Sequence, residues 1–170
     1  MDETKRILAL HAAFEAGDLA SIRRLVPEPD DFPNGPMPQA IGPCLQYAIY
    51  HSPLSLIREL LELGANPRAP APDGFPPLIA ALSGAEASRV EGTLPLLLEF
   101  GADPDQRGVN DYTALHMAVA EGHSQAVRML LESGADPDLR TRIDQLESPR
   151  EMALRVGNAA VSEAMGRCTP

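Results

Sequence analysis

The chain has 170 residues and a formal net charge of −10, and 44% of its residues are hydrophobic but only 4% are aromatic. This length and composition fit one compact domain with a core of aliphatic helices. The negative charge and the scarcity of aromatic rings argue against a nucleic-acid surface, which needs clustered cations and stacking platforms.

The first third of the chain predicts two helices and then a loop. Residues 2–16 have apolar side chains at helical spacing, with Thr4 as a possible N-cap, and a second helix is expected over 19–26. Residues 26–43 hold six prolines and two glycines. Because proline lacks the N–H that a central strand needs, this stretch is predicted to be a loop.

Two further helix pairs are predicted over residues 43–67 and 73–104. The second pair contains Pro95, and a proline inside a helix costs about 3 kcal/mol. The pair also has four more residues between its helices than the other pairs have. We therefore expect a late helix start, with Thr93 as N-cap, after a long inserted loop over 83–92.

Residues 110–138 form the most regular unit. A turn leads into an Ala-rich helix from Thr113, and the chain breaks at Gly122-His123. A second helix over 125–133 carries an apolar stripe and stops at Gly134, because glycine suits the left-handed conformation of a helix C-cap. Helices of about two to three turns are not stable alone, so the unit needs neighbours of its own kind.

Copies of this unit recur along the chain. The closing Gly-Ala is found at 64–65, 101–102 and 134–135, each time after a leucine-rich helix. The opening turns at 8, 43, 76, 113 and 148 are spaced by 35, 33, 37 and 35 residues. Together with Thr113-Ala-Leu-His-Met-Ala, this pattern resembles the ankyrin repeat, whose period is about 33 residues and whose signature is Thr-Pro-Leu-His-x-Ala.

The resemblance implies an all-α protein, an α-solenoid of stacked ankyrin helix-turn-helix repeats with β-turn fingers, in a single domain over 1–170. Residues 1–30 are expected to form the N-terminal capping repeat and residues 145–168 the C-terminal one. The three repeats between them are expected over 43–67, 73–104 and 110–138. The resemblance also implies a protein that binds another protein and is not an enzyme.

Three of the four histidines are predicted to be structural. His11 and His116 fall where the family places its turn histidine, whose ring hydrogen-bonds backbone between adjacent loops, and His123 lies at the break between two helices. His51 falls on the exposed end of an inner helix, where the family dictates no residue type. It is therefore a surface candidate.

No motif in the sequence predicts catalysis or a cofactor. The Asp-Pro-Asp triplets at 103–105 and 136–138 resemble carboxylate pairs for a divalent cation, but such an ion needs about four or more convergent oxygens. Each triplet follows Gly-Ala, where aspartate accepts local backbone hydrogen bonds, so turns are expected there. The chain has no phosphate loop, nucleophile elbow or Cys-x-x-Cys pair, and neither a metal nor a cofactor is expected.

Ankyrin-repeat proteins generally contact their partners through finger tips and the exposed ends of inner helices, so the resemblance implies such a face here. Tyrosine and arginine are residue types that anchor interfaces, and Arg107 and Tyr112 are the predicted anchors. The finger candidates are Phe75, Arg107, Val109, Asn110, Tyr112, Arg140 and Arg142, with Pro70, Pro72 and Asp144 beside them. The inner-helix candidates are Tyr50, His51, Ser83, Glu121 and Arg155.

The expected partner is another protein, with a basic patch that suits the acidic chain, and not nucleic acid or a membrane; the chain is expected to be monomeric. Cys44 and Cys168 lie at opposite ends of the predicted solenoid, so we expect no disulfide and a reducing, cytoplasmic location. No apolar stretch reaches transmembrane length, and no signal peptide is expected, since the N-terminus carries acids and no long apolar run.

Two alternatives remain open. An enzyme or metal protein would use His51 and the 83–92 loop, and turnover or metal content would reveal it. A homo-oligomer would assemble through the Pro-rich segment 27–43, and the mass in solution would test that assembly.

Overall fold

A computed structural model describes residues 2–38, 41–71, 73–84, 86–143 and 146–167, without the side chain of Arg167. Pro72, Asp144 and Cys168, which the sequence analysis singled out, lie outside these residues. The described residues contain ten α-helices, two short 3-10 helices and no strand, which confirms the all-α fold class. The chain divides into two compact units, Met1–Pro67 and Arg68–Pro170.

The first unit contains two helix pairs. Its helices are α1 (Glu3–Ala16), α2 (Leu19–Leu25), α3 (Cys44–His51) and α4 (Leu54–Glu62). Helix α1 packs on α2 and α3, and α3 packs on α4. Leu10, Phe14 and Ile22 are fully buried, because short helices gain their stability by burying an apolar stripe against neighbours.

Helix α1 begins one residue before Thr4, so the prediction of Thr4 as N-cap is wrong. Asp2 occupies the N-cap position and Glu3 lies in the first turn. Both residues are acidic, and negative charge is stabilised near the N-terminus of a helix by the exposed N–H groups there.

The proline-rich loop after α2 is held to the end of α4 by one side chain. The amide nitrogen of Asn34 donates to the carbonyl of Gly64 at 2.8 Å, and its amide oxygen accepts from the backbone N–H of Asn66 at 2.9 Å. Apart from the 3-10 helix Pro29–Asp31, the described residues of this segment are irregular, as predicted.

The second unit stacks three helix pairs. Its helices are α5 (Pro77–Leu82), α6 (Ala87–Glu99), α7 (Ala114–Ala120), α8 (Ser124–Glu132), α9 (Pro149–Val156) and α10 (Ala159–Arg167). The inner helices α5, α7 and α9 pack in series, as do the outer helices α6, α8 and α10. The N-caps Pro76, Thr113 and Ser148 fall on three of the predicted repeat starts.

The predicted loop over 83–92 is wrong, because helix α6 begins at Ala87 and Thr93 lies inside it. Helix α6 has 13 residues whereas α8 has 9, so the four extra residues of this repeat lengthen the helix. Pro95 is exposed within it, while Val90, Leu94 and Leu97 are buried. Burial of this apolar stripe outweighs the cost of one interior proline.

Leu154 in α9, the last inner helix that the structure describes, is far more exposed than its counterparts in α5 and α7. It occupies the repeat position of Leu82 and Val119, both of which are fully buried, yet Leu154 is 75% exposed. Its own outer helix, α10, packs on α9. Helices α5 and α7 each have the inner helix of the following pair packed on them, and among the described residues α9 has none.

We expect Pro95→Ala to raise the free energy of unfolding by about 1–3 kcal/mol, because alanine restores a helical N–H and removes the clash of the proline ring with the preceding turn. Urea unfolding followed by circular dichroism measures the change. Glu91→Ala, at another exposed position of α6, is the matched control and should shift stability by much less. A less stable Pro95→Ala variant would contradict a helix that runs unbroken through residue 95.

Candidate functional site

The second unit carries three finger loops that precede its inner helices, at residues 68–76, 101–113 and 134–148, here called the first, second and third fingers. The second and third open with Gly101 and Gly134, whose φ values of 87° and 90° lie in the left-handed region. Glycine adopts that conformation without a Cβ clash, and this lets each outer helix end and turn into its finger.

The Asp-Pro-Asp triplets form turns, as predicted. The carboxylate of Asp103 accepts the backbone N–H of Asp105 at 3.0 Å, and that of Asp136 accepts the N–H of Asp138 at 2.9 Å. The carboxylate of Asp105 also accepts the N–H of Asp136 at 2.9 Å. The acidic side chains thus shape each turn and join the second finger to the third.

The first and second fingers meet at Gly108. The backbone N–H of Val109 donates to the carbonyl of Gly74 at 2.6 Å. A Cβ on Gly108 would collide with that same carbonyl oxygen and with the side chains of Pro76 and Ile79. Only glycine lets the two backbones approach this closely.

The second and third fingers are joined by the carboxylate of Asp111. It accepts Nη1 of Arg107 at 2.5 Å, the backbone N–H of Arg142 at 2.6 Å and Nη2 of Arg142 at 2.7 Å. A further bond runs from Nη2 of Arg107 to the carbonyl of Arg140 at 3.0 Å. Asn110 and Asp111 have φ of 55° and 60°, a conformation that these two residue types tolerate better than most.

This cluster changes the acidity of Asp111. Its side chain is only 9% exposed. The hydrogen bonds from the side chain and backbone of Arg142, together with the charges of Arg107 and Arg142, lower the pKa of Asp111 to about 2, against an opposing effect of burial. The carboxylate is therefore held in its charged form, in which it accepts all these bonds.

His116 connects α7 to the third finger, as the sequence predicts. Its Nδ1 lies 3.2 Å from the backbone N of Thr113 and 2.9 Å from the hydroxyl of Thr113, and its Nε2 lies 3.1 Å from the carbonyl of Glu147. This geometry suits a neutral ring that donates from Nε2 and accepts at Nδ1. The Tyr112 ring stacks on it, with centroids 5.2 Å apart.

Three further arginines hold the third finger and α9. Arg140 donates to the carbonyl of Leu146 at 2.8 Å and pairs with Glu151. Arg150 pairs with Asp138 at 2.8 Å, and Arg155 pairs with Glu147 at 2.9 Å. These ion pairs and hydrogen bonds connect the described residues of the third finger with each other and with α9.

The tip of the third finger exposes apolar side chains that the sequence analysis missed. Ile143 is 50% exposed and Leu146 is 53% exposed, and the side chain of Arg142 beside them is 72% exposed. The signal was present in the sequence, since three large aliphatic residues, Leu139, Ile143 and Leu146, stand in a loop of mostly polar character, and the structure leaves Ile143 and Leu146 exposed. Their exposure depends on the finger conformation, which the sequence does not reveal.

The structure separates the predicted site residues into two groups. Seven are exposed, namely Tyr50, His51, Asn110, Glu121, Arg140, Arg142 and Arg155, and four are partly buried, namely Phe75, Arg107, Val109 and Tyr112. The predicted anchors Arg107 and Tyr112 are thus engaged within the second unit, on Asp111 and on His116. The structure brings Arg107, Arg140 and Arg142 together at the second and third fingers.

His11 does not take the role predicted for it. Its Nδ1 lies 2.8 Å from the hydroxyl of Tyr47, and its ring packs edge-on against His51. Within the described ranges the ring of His11 is held by side chains, with Nε2 also 3.5 Å from a carboxylate oxygen of Glu15. His123 lies at the N-cap of α8, at the predicted helix break.

The described residues contain neither a metal site nor a helix that could span a membrane. Nowhere in the described ranges do three His, Cys, Asp or Glu side chains converge so that they could hold a metal ion. None of the helices that the structure describes combines the length and apolar content needed to cross a bilayer.

Comparison with known families identifies ankyrin repeats in this chain. Residues 45–141 match the family model for ankyrin repeats, in three copies. The matched stretch covers more than half of the chain, from the second residue of α3 to the third finger, and includes α4 to α8.

We expect His116→Ala to lower the free energy of unfolding by about 1–3 kcal/mol, since buried groups of Thr113 and Glu147 lose their partner. Burial lowers the pKa of His116 from its usual 6.5, so the unfolded chain binds a proton at this site before the folded chain does. This contribution to stability is present above about pH 6.5 and is lost as the pH falls below it. His116→Gln should remove that pH dependence, and His123→Gln should leave it unchanged; an unaltered pH profile in His116→Gln would contradict the assignment.

We expect Asp111→Asn to lower stability at pH 7 and to flatten its pH dependence in acid. The depressed pKa of Asp111 contributes stability that is present above the usual aspartate value of 3.8 and is lost as the pH falls toward about 2. Asparagine keeps the tolerance for positive φ, so the change tests the carboxylate itself, through the loss of its charge and of one acceptor oxygen, without straining the backbone. Thermal unfolding between pH 2 and pH 5 measures it, with exposed Asp73→Asn as control. A stability curve identical to that of the wild type would show that the Asp111 cluster does not hold the fingers.

Proposed function

The chain belongs to the ankyrin-repeat family, and from that premise we propose that it is a non-catalytic scaffold that binds another protein through its finger tips and the exposed ends of its inner helices. Repeats of this family are in general protein–protein interaction modules and are typically not catalytic. The fold supplies stacked helix pairs that hold the fingers, and the fingers supply the contact residues.

The observation that carries this proposal is the exposed tip of the third finger. Ile143 and Leu146 present aliphatic surface, and Arg142 presents a guanidinium that is already oriented by Asp111. Interfaces are typically built around a few apolar or arginine side chains within a polar rim. Large aliphatic side chains are costly to leave in water, so their place at a braced tip supports a role in contact.

The bracing of the fingers also favours binding. Association is weakened by the entropy lost when flexible loops become ordered. Here Asp111, His116 and Arg140 hold the second and third fingers by hydrogen bonds to neighbouring backbone. A partner that contacts these fingers therefore meets a surface that needs little further ordering.

Within this proposal the predicted residues have two roles. Asn110, Arg140 and Arg142 on the fingers, and Glu121 and Arg155 on the inner helices, are exposed for direct contact. Arg107 and Tyr112 act mainly by holding the fingers, with Phe75 and Val109 at the junction of the first and second fingers. Tyr50 and His51 form a contact surface of the first unit.

The net charge of the chain favours a partner of opposite charge. A net charge of −10 favours a protein with a basic patch and disfavours nucleic acid. We also propose that the chain acts as a monomer in the reducing cytoplasm. The thiol of Cys44 is buried, and burial raises its pKa to about 12, so it stays protonated and unreactive.

The test is a titration of a partner captured from the native host against a variant of the third finger. Ile143→Ser combined with Leu146→Asn removes both apolar side chains, and asparagine suits the positive φ of residue 146. We expect binding to weaken by roughly 10- to 100-fold, the range typical of interface anchors, with little change in melting temperature.

The matched control replaces two leucines of similar exposure at the ends of helix α4, Leu54→Ser and Leu63→Ser. This variant should bind with the affinity of the wild type. Loss of affinity in the α4 variant, with full affinity in the finger variant, would move the contact surface to the outer helices and overturn the proposal.

A further inference from the structure

Helices α1 and α3 concentrate aromatic side chains on one surface of the first unit. Five of the eleven Phe, Tyr and His residues of the chain lie there, namely His11, Phe14, Tyr47, Tyr50 and His51. Tyr47 packs edge-on against Phe14 with ring centroids 5.0 Å apart, and its ring lies 4.3 Å from that of His51. The His11 and His51 rings are 5.4 Å apart.

The exposure of these rings increases from a buried floor to a solvent-exposed rim. Phe14 is fully buried and makes the floor, and Tyr47 is partly buried. His51 and Tyr50 are exposed, Tyr50 to 40%, and the side chain of His11 is 39% exposed. The rings of Tyr50, His51 and His11 thus keep solvent-accessible area at the rim of the packed pair Phe14 and Tyr47.

The repeat itself does not require aromatic residues at these positions. The position of Tyr47 is taken by Met117 in α7 and by Met152 in α9, and both are buried. The position of His51 is taken by Glu121 and Val156 in the same two helices. The aromatic character of the surface is therefore a property of this pair of helices and is not imposed by the fold.

A carboxylate stands at the edge of the rings. Glu15 lies one turn beyond His11 in α1, with its Oε1 3.5 Å from Nε2 of His11, and its side chain is 59% exposed. The hydroxyl of Tyr47 bonds Nδ1 of His11. Burial, and then the charge of Glu15, raise the pKa of Tyr47.

We propose that this aromatic patch, formed by His11, Glu15, Tyr47, Tyr50 and His51, binds an arginine side chain of a partner protein. A guanidinium stacks on the faces of aromatic rings and at the same time donates two parallel hydrogen bonds to a carboxylate. The patch supplies both of these groups, because it combines aromatic rings from α1 and α3 with the carboxylate of Glu15. The acidic chain as a whole attracts a cationic segment toward it.

Arginine is favoured over lysine at this patch. The guanidinium is planar, weakly hydrated and forked, so it can lie on a ring and still reach Glu15, whereas the ammonium of lysine is compact and strongly hydrated. The inference rests on the proposed function, since it names the chemistry that the inner-helix surface of the first unit would recognise. It adds a second contact, separate from the third finger.

The test uses three capped tripeptides, Gly-Arg-Gly, Gly-Lys-Gly and Gly-citrulline-Gly, titrated to millimolar concentration against the full chain. Two-dimensional NMR follows the ring signals of Tyr50 and His51. We expect saturable shifts with the arginine peptide, several-fold weaker binding with lysine and no saturable shift with citrulline, which keeps the shape of arginine without its charge.

Three exposed substitutions complete the test. Glu15→Gln and Tyr50→Leu should each weaken binding of the arginine peptide several-fold, and Glu99→Gln in the second unit should not change it. Equal binding of citrulline and arginine, unchanged binding in both patch variants, or no saturable shift at all would overturn the proposal. Because the third-finger titration uses other residues, failure here with a finger-dependent partner intact would refute the arginine patch alone.

Discussion

The carboxylate of Asp111 is the interaction on which the finger surface depends. It accepts hydrogen bonds from Arg107 on its own finger and from the backbone and side chain of Arg142 on the next. Loops of this kind have few buried apolar contacts, so polar bonds must hold their conformation. A nearly buried carboxylate with several charged donors is stable in place, and its removal would leave Arg107 and Arg142 without the acceptor that joins the second finger to the third.

Polar bonds of the same kind also join the fingers to the helices. His116 bonds Thr113 at the start of α7 and the carbonyl of Glu147 in the third finger, and Arg155 of α9 pairs with the side chain of Glu147. Each bond joins a helix, or the residue that caps it, to the irregular third finger, in which Ala135 and Thr141 are also buried. The helices therefore determine where the fingers stand, and the polar network determines their shape.

The repeat made much of this fold predictable, because four of the five predicted starts coincide with observed N-caps. The role of His116 followed from the same register. The start of α6 differs from the prediction because burial of Val90, Leu94 and Leu97 stabilises the helix by more than the interior Pro95 destabilises it. The hydrogen bonds of Arg107 and His11 could not be predicted from the sequence. They depend on which finger lies beside the guanidinium of Arg107 and which helix lies beside the ring of His11.

The central claim is that the fingers of the second unit form a preorganised surface. The most direct measurement is the backbone order parameter from ¹⁵N relaxation for residues 103–113 and 136–143. The account predicts values near those of the adjoining helices, about 0.85, because the network around Asp111 and His116 restrains fast motion. Values below about 0.6 across these residues would show flexible loops and contradict the claim.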